Sequence, residues 1–191
     1  MNAFELSQHI AARLEEDGLE YAIGGALALT AWAIPRDTND VDISVFATEP
    51  ELPRVIDALE RAGVMIDRVD AAKSVGRIGM FTGRSGRTLV DVFISTHPHF
   101  LEMRRRRRQL KYPSGEPLWF LSAEDLCVMK LLYARSKDIA DLERMFSVLI
   151  LDRSYVRAWL ARMVPEGDRR LTLLAFAPWD AEGFAVVRRR A

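Results

Sequence analysis

The sequence contains one cysteine, Cys127, among 191 residues. A disulfide framework and a cysteine-rich zinc site are therefore excluded, and the lone thiol is expected to be a small buried side chain. No apolar stretch approaches the roughly 18 residues that cross a bilayer, and the first residues lack the apolar core of a secretion signal. We therefore expect a cytoplasmic protein without a membrane segment.

The sequence also has no net charge, because Lys+Arg and Asp+Glu both number 27. Domains whose main task is to coat nucleic acid are usually strongly basic, so that class is disfavoured. One local exception is the run of five arginines from Arg104 to Arg108. It has two interpretations, a ridge that binds the phosphates of an RNA acceptor or a solvated connector.

The hydrophobic pattern predicts an α/β fold, a mixed sheet with flanking helices followed by a smaller helical domain. The expected helices of the first part are residues 3–17, 26–34 and 50–63, and the expected strands are 19–23, 41–46, 78–82 and 88–94, the last two joined by a turn at 83–86. Beyond a turn-rich break at 112–117 we expect an edge strand at 118–121, helices starting near Ser122 and Ser136, a helix at 155–164 and a strand at 171–176. The predicted domains are 1–115 and 116–191.

Two glycines and two aspartates form the most informative motif. Gly24-Gly25 follows a predicted strand and precedes a helix, where backbone N–H groups and the positive end of the helix can bind phosphates. Asp40 and Asp42 are two residues apart in the next predicted strand, so their side chains are expected on one face. Two such carboxylates repel by several kcal/mol at an effective dielectric constant of about 20, which favours a bound Mg²⁺ or Mn²⁺.

A third carboxylate, Asp91, lies within the apolar strand of residues 88–94. An acid there is costly unless it is paired or bound to metal. Phosphoryl transfer with metal ions uses such a group as a ligand or as a base for the attacking hydroxyl.

These residues resemble the nucleotidyltransferase superfamily whose fold is shared with DNA polymerase β. Its signature, a hydrophobic residue, two small residues, a helix and Asp-h-Asp-h, appears here as Ile23-Gly24-Gly25 and Asp40-Val41-Asp42-Ile43. The resemblance implies Asp40, Asp42 and Asp91 as metal ligands and catalytic residues, with an NTP as substrate. The segment from Arg36 through Thr38 to Asp40 looks like the Arg-x-Thr-x-Asp approach of small members, which implies that Arg36 and Thr38 help bind the nucleotide.

The second half resembles the helical region of AbiEii-type toxin nucleotidyltransferases. The resemblance implies that Lys130 and Asp138 bind the nucleotide and complete the site, with Lys130 as a catalytic residue that neutralises charge on the triphosphate and with Arg135 and Asp141 as weaker candidates. A structural ion-pair network is the alternative. If one helix ran through, Lys130 and Asp141 would share a face, because eleven residues are close to three turns.

The acceptor stays open among an RNA such as a tRNA end, a protein side chain and a small molecule such as an aminoglycoside. The toxin-like alternative adds an antitoxin partner, and a non-catalytic nucleotide-binding protein is a further alternative. The apolar faces of the C-terminal helices could pack internally or against a second subunit in a homodimer.

Overall fold

The computed structural model of the chain describes residues 1–94, 97–111 and 116–175, with side chains up to residue 173. The chain divides into two compact units. The first comprises Met1–Ala28 and Asp37–Leu121, and the second comprises Leu29–Arg36 and Ser122–Ala191. The predicted domain boundary near residue 115 stays a prediction. None of the described helices is both long enough and apolar enough to cross a membrane.

The first unit is a mixed sheet with helices. Its elements are α1 (Ala3–Glu16), β1 (Tyr21–Ile23), the start of α2 (Gly25–Trp32), β2 (Val41–Val45), a 3-10 turn (Glu49–Glu51), α3 (Leu52–Arg61), α4 (Arg68–Ile78), β3 (Met80–Ser85), β4 (Thr88–Ile94), α5 (Pro98–Arg106), β5 (Arg108–Leu110) and β6 (Leu118–Phe120). The six strands run in the order β3-β4-β2-β1-β6-β5. Strand pairs β2/β4 and β1/β6 are parallel, whereas β1/β2, β3/β4 and β5/β6 are antiparallel. This sheet confirms the predicted mixed α/β fold.

Strands β2 and β4 each have one buried and one partly open face. The buried face carries aliphatic side chains that are at most 1% exposed, from Val41, Ile43, Val45, Val90, Val92 and Ile94, together with the buried Thr88 at the start of β4. Asp42 and Asp91 lie on the opposite face and are partly exposed. The alternation of apolar and acidic residues therefore fixes which side of the sheet presents the carboxylates.

The hairpin is confirmed, but its turn begins at Gly86, three residues after the predicted start. Strand β3 continues through Gly83, which pairs with Val90, and the loop is Gly86-Arg87. Gly86 has a φ of +59°, as a tight turn requires. Gly83 is a packing position, since a Cβ there would lie 2.6 Å from Cγ1 of Val64.

Other boundaries also differ from the sequence expectations. The sequence patterns did not indicate α4 and β5, and β6 is an interior strand because β5 pairs with its outer side. The strand expected at 171–176 is wrong, since Arg169–Ala175 form helix α9. Residue 176 and residues 112–115 of the expected turn lie outside the described part of the chain.

The second unit is helical. It contains the end of α2, then α6 (Ala123–Tyr133), α7 (Ser136–Val148), α8 (Arg153–Met163) and α9 (Arg169–Ala175). Helix α6 contacts α7, α8 and α9, so it is central to this unit. Cys127 on α6 is fully buried, as expected, and burial raises the pKa of its thiol.

A buried carboxylate stabilises the start of α6. Ser122 caps the helix, as predicted, by accepting the Asp125 N–H at 3.1 Å, and its hydroxyl donates to Asp125 Oδ2 at 2.6 Å. Tyr155 of α8 donates its hydroxyl to Asp125 Oδ1 at 2.5 Å. Asp125 has no exposed surface, so these donors replace water around its charge.

We predict that Ser122→Ala lowers the free energy of unfolding by about 1–3 kcal/mol, because it removes a helix cap and a donor to a buried carboxylate. Urea denaturation measures this change. Ser147→Ala is the matched control, since the exposed Ser147 hydroxyl donates only to the Arg144 carbonyl in its own helix. Its effect should stay within about 0.5 kcal/mol. Equal effects of the two variants would contradict the role assigned to Ser122.

Candidate active site

A row of functional groups crosses the sheet of the first unit. Asp42 of β2 pairs in register with Asp91 of the parallel strand β4, so both side chains point to the same face. Thr82 of β3 pairs with Asp91 from the other side, and its hydroxyl donates to Asp91 Oδ1 at 2.6 Å. Beyond Asp42, the Gly24 N–H donates to the Asp42 carbonyl at 2.8 Å. The fold thus brings Gly24, Asp42 and Asp91 together from three separate segments.

Gly25 lies directly against the Asp42 carboxylate. A Cβ built on Gly25 would be 1.8 Å from Oδ2 and 2.5 Å from Cγ of Asp42. Gly25 also has a φ of +55°, a conformation that other residues rarely adopt. Only glycine therefore allows the Asp42 carboxylate to lie at the start of α2.

The two glycines have different roles at this helix start. The Gly24 N–H is used by the Asp42 carbonyl, and the Gly24 carbonyl accepts the first helical bond from Ala28 at 2.9 Å. Gly24 therefore cannot offer its N–H to a phosphate without breaking the sheet, contrary to the sequence expectation. The N–H groups of Gly25 and Ala26, in the first turn of α2, have no acceptor within the helix. They are the donors suited to an anion.

Asp40 lies one residue before the strand rather than within it, and its place on the same face as Asp42 stays a prediction. Strand β2 begins at Val41. The Asp40 N–H donates to the Thr38 hydroxyl at 3.2 Å, and this hydroxyl also lies 3.3 Å from the Asp40 carbonyl. These local bonds turn the backbone before the strand starts. Thr38 thus positions Asp40, and its predicted contact with a nucleotide stays a prediction.

The carboxylates of this face can supply part of the coordination shell of a metal ion. Within residues 1–94, 97–111 and 116–175, no three His, Cys, Asp or Glu side chains lie close enough together to hold a metal by themselves. The pair formed by Asp42 and Asp91 provides oxygen ligands in direct register. Mg²⁺ commonly uses one or two carboxylates and completes its shell with waters and substrate phosphates. The residues therefore fit a metal ion held by two carboxylates and waters, whose shell substrate phosphates can complete.

The predicted nucleotide ligands of the second unit form a cluster around Asp141. This fully buried carboxylate accepts Lys130 Nζ at 2.7 Å, Arg36 Nε at 2.8 Å and Arg144 Nη1 at 3.2 Å. Burial alone would raise the pKa of Asp141, but hydrogen bonds from Arg36 and Lys130 outweigh it and hold the pKa below its ordinary value. The Lys130 side chain is only 5% exposed. These contacts support the structural ion-pair alternative, and nucleotide binding by Lys130 and Arg36 stays a prediction.

The helix expected to carry both Lys130 and Asp141 is interrupted. Helix α6 ends at Tyr133 and Ala134 adopts a φ of +47°, so the two residues belong to separate helices, α6 and α7. Arg135 precedes α7, and its Nε donates to the buried Asp138 carboxylate at 2.7 Å. Asp138 also accepts the Arg135 N–H at 3.1 Å, so these two residues cap α7 where Ser136 was expected to do so. Their assignment to nucleotide binding stays a prediction.

The arginine run is tied to the first unit through Glu20. Arg104 and Arg107 both form ion pairs with Glu20. Burial opposes ionisation of Glu20, but the hydrogen bonds from Arg107 and Arg104 prevail and lower its pKa. The Arg107 guanidinium lies 4.5 Å from the centre of the Trp119 ring and 5.7 Å from that of Phe46. Arg107 is thus a packed side chain.

The other arginines of the run also have local contacts. Arg105 donates to Glu102 at 2.8 Å, and Arg108 donates to the Arg106 carbonyl at 2.9 Å. Arg104, Arg105 and Arg108 nevertheless remain exposed, so the run combines one packed residue, Arg107, with charge that faces solvent.

Thr82 and Arg144 are functional or supporting residues that the sequence patterns did not single out. Thr82 was within reach of sequence reasoning, since a hairpin turn placed at Gly86-Arg87 implies the pairing of Thr82 with Asp91. Arg144 lies three residues after Asp141, a spacing that allows contact on a helix.

Most of the chain matches one known protein family. Residues 2–164 match the family described as nucleotidyltransferase of unknown function (DUF6036). The chain belongs to this nucleotidyltransferase family. Curated protein sequences give no match. The narrower resemblance to AbiEii-type toxins is not confirmed by these comparisons and stays a prediction.

Solved structures with a similar fold support the superfamily assignment of this nucleotidyltransferase. The solution structure of the antibiotic-resistance factor ANT(2'')-Ia has a TM-score of 0.59 and 18% identity, over 85% of this chain and 92% of that chain. The lincomycin-bound crystal structure of the lincosamide antibiotic adenylyltransferase LnuA has a TM-score of 0.55 and 14% identity, over 78% of this chain and 99% of that chain. At such identities the likeness shows the polymerase-β-like fold alone.

We predict that Gly25→Ala destabilises this nucleotidyltransferase by more than Gly18→Ala. Both glycines have positive φ, +55° at Gly25 and +67° at Gly18, so both variants carry the strain of about 1–2 kcal/mol expected for a side chain there. A Cβ at Gly18 meets nothing within 4 Å, whereas one at Gly25 collides with Asp42. Thermal unfolding of the two variants compares them. Equal losses would show that Asp42 can move away without cost.

We predict that Asp141→Asn lowers the free energy of unfolding by about 3–5 kcal/mol at pH 7, because Lys130 would keep a buried charge without its carboxylate. A lowered carboxyl pKa stabilises the folded state above the ordinary value near pH 4, and this stabilisation is lost as the pH falls below it. The variant should therefore lose part of the wild-type acid sensitivity. Urea denaturation between pH 7 and pH 3 measures both effects.

The exposed Glu143 of the same helix provides the control for this experiment. Glu143→Gln should change the free energy of unfolding by no more than about 0.5 kcal/mol. A loss in Asp141→Asn as small as that in Glu143→Gln would refute the central role of Asp141.

Proposed function

We propose that this nucleotidyltransferase transfers an NMP group from an NTP to an acceptor hydroxyl and releases pyrophosphate. The observation that carries the proposal is the direct register of Asp42 and Asp91 on one sheet face, beside the glycine turn that starts α2. In the reaction, the acceptor oxygen bonds to the α-phosphorus while the bond from that phosphorus to pyrophosphate breaks. The hydroxyl proton leaves the acceptor.

Phosphate binding is assigned to the start of α2. The first-turn N–H groups of Gly25 and Ala26 point out of the helix at its positive end, where an anion is favoured. The absence of a side chain at Gly25 allows close approach of the backbone to phosphate oxygens. The same absence lets the Asp42 carboxylate lie beside them.

The carboxylates are assigned to Mg²⁺ or Mn²⁺. Asp42 and Asp91 would hold the ion, with Asp40 joining from the segment before β2. When bound, the metal neutralises phosphate charge and polarises the phosphoryl group. Carboxylates and phosphates repel at this short range, which supports the need for a cation among them. Asp91 is also suited to accept the proton of the acceptor hydroxyl.

A small molecule with a hydroxyl group is the acceptor we favour. The arginines that suggested an RNA form ion pairs with Glu20 and Glu102, and the exposed Arg104, Arg105 and Arg108 keep an RNA acceptor as an alternative. Two nucleotidyltransferases of similar fold have structures with small-molecule antibiotics, adenylyl-2''-tobramycin in one and lincomycin in the other. An RNA or protein acceptor, with an antitoxin as partner, is the alternative that the experiment below distinguishes.

We predict that Asp42→Asn and Asp91→Asn each reduce transfer about 100-fold or more, since a metal ligand contributes several kcal/mol to transition-state stabilisation. Neither variant should unfold, because each removes like-charge repulsion between neighbouring strands. The measurement incubates the protein with each NTP labelled at the α-phosphate, Mg²⁺ or Mn²⁺, and the RNA, protein and small-molecule fractions of a cell extract. The labelled fraction identifies the class of acceptor.

Asp57→Asn is the matched control, because Asp57 lies on α3 and pairs only with the exposed Arg68. It should transfer label at the wild-type rate. Full activity of Asp42→Asn would refute the assignment of the carboxylates. A folded wild type that binds NTP and labels nothing would favour a nucleotide-binding protein instead.

A further inference from the structure

Thr82 is the neighbour of Asp91 on the outer strand of the sheet. The two residues pair directly across β3 and β4, so their side chains lie on the same face. The Thr82 hydroxyl donates a hydrogen bond to Asp91 Oδ1 at 2.6 Å, which is short for a bond between two oxygens. The bond joins a strand residue to a strand residue, so both ends have fixed backbones.

This bond restricts what the carboxylate of Asp91 can do. A carboxylate on a strand can rotate about its terminal torsion, and this rotation is broad when nothing fixes it. With Oδ1 bound to Thr82, rotation of the carboxylate is restricted, and Oδ2 is the oxygen left outside this bond. Asp42 lies in register on the opposite side of Asp91 from Thr82. A cation shared by Asp42 and Asp91 would therefore meet a carboxylate that is already oriented.

We infer that Thr82 is a positioning residue, which orients Asp91 for the metal ion and the acceptor. The inference rests on the proposed function for its consequence in catalysis, while its consequence for metal binding can be measured separately. Thr82 does not touch the metal or the substrate in this assignment, and it acts only through Asp91. Groups that orient metal ligands typically contribute about 10- to 100-fold to metal affinity or activity.

The ordinary alternative is a polar cross-strand pair that only supports the sheet. Such pairs contribute about 0.2–1 kcal/mol to stability. This alternative predicts a small change in unfolding and no change in metal binding. The positioning role predicts that Thr82→Val weakens metal binding. The variant should still fold, since valine has the shape of threonine and is well tolerated on an exposed strand position.

The experiment compares Thr82→Val and Thr82→Ser in the full chain. Mn²⁺ alone is titrated first, without nucleotide, and free Mn²⁺ is measured by electron paramagnetic resonance. We expect Thr82→Val to weaken Mn²⁺ binding about 10-fold or more, and Thr82→Ser to remain near wild type because it keeps the hydroxyl. In the transfer assay, Thr82→Val should lower kcat about 10-fold with a smaller change in KM for the NTP.

Thr48→Val is the matched control. The Thr48 hydroxyl donates to Glu51 Oε2 at 2.8 Å in an exposed turn of the same unit, so this variant removes an equivalent bond outside the row of Asp42 and Asp91. It should leave both Mn²⁺ binding and kcat unchanged.

The outcomes separate this inference from the proposed function. Wild-type binding of Mn²⁺ by Thr82→Val, or an equal loss in Thr82→Ser, would overturn the positioning role, as would a wild type that binds no Mn²⁺. If the wild type transfers no label, the proposed function fails. The Mn²⁺ titration then still decides the role of Thr82.

Discussion

Two carboxylates held in register on adjacent parallel strands are the constraint on which the first unit depends. Asp42 and Asp91 cannot move apart without shifting β2 against β4, and that shift would disturb the buried valine and isoleucine face behind them. Like charges directly opposite each other destabilise a sheet. The surrounding residues accommodate this arrangement in two ways. Gly25 leaves the space that the Asp42 carboxylate occupies, and Thr82 donates a hydrogen bond to Asp91. The space at Gly25 and the hydrogen bond from Thr82 together allow the sheet to hold two acids on one face.

In the second unit, the negative charge of Asp141 is stabilised in a different way, by basic side chains. Its carboxylate is fully buried, yet Lys130, Arg36 and Arg144 surround it with positive charge. A buried charge that has three cationic partners is already compensated, and removing any partner leaves an uncompensated charge. The row of Thr82, Asp91, Asp42 and Gly24 contains acids, a hydroxyl and backbone groups but no basic side chain. Partial exposure of Asp42 and Asp91 distinguishes this row from the fully buried ion-pair cluster around Asp141.

The mixed sheet, the hairpin and the cap of α6 could be predicted from the sequence because each depends on a local pattern. Alternating apolar residues indicate the strands, two nearby glycines indicate the hairpin turn, and a serine followed by acidic residues indicates the helix cap. It was insufficient where tertiary contacts decide. Helix α4 buries only Ala71 and Val75, so its apolar period is weak, and β5 is a polar segment that becomes a strand by pairing with β6. Asp40 was expected in a strand because Asp-x-Asp fits the alternation, but the Thr38 hydroxyl competes for its backbone. The pairing of Lys130 with Asp141 follows from two helices that contact each other, and helical spacing alone would have required one continuous helix.

The arginine run shows why charge counted along a sequence can differ from charge presented by a surface. Five consecutive cations predict strong repulsion and a basic ridge if each extends into solvent. In the fold, Arg104 and Arg107 converge on Glu20 at the start of β1, and Arg107 also lies against Trp119 of β6. These contacts join α5 and the residue that follows it to Glu20 beside β1 and to Trp119 of β6. A guanidinium suits this role because it can form an ion pair along its edge and stack on an aromatic ring with its face at the same time. The run therefore links the β1 and β6 strands to the β5 segment, and a smaller fraction of its charge remains for a polyanionic partner than the composition implies.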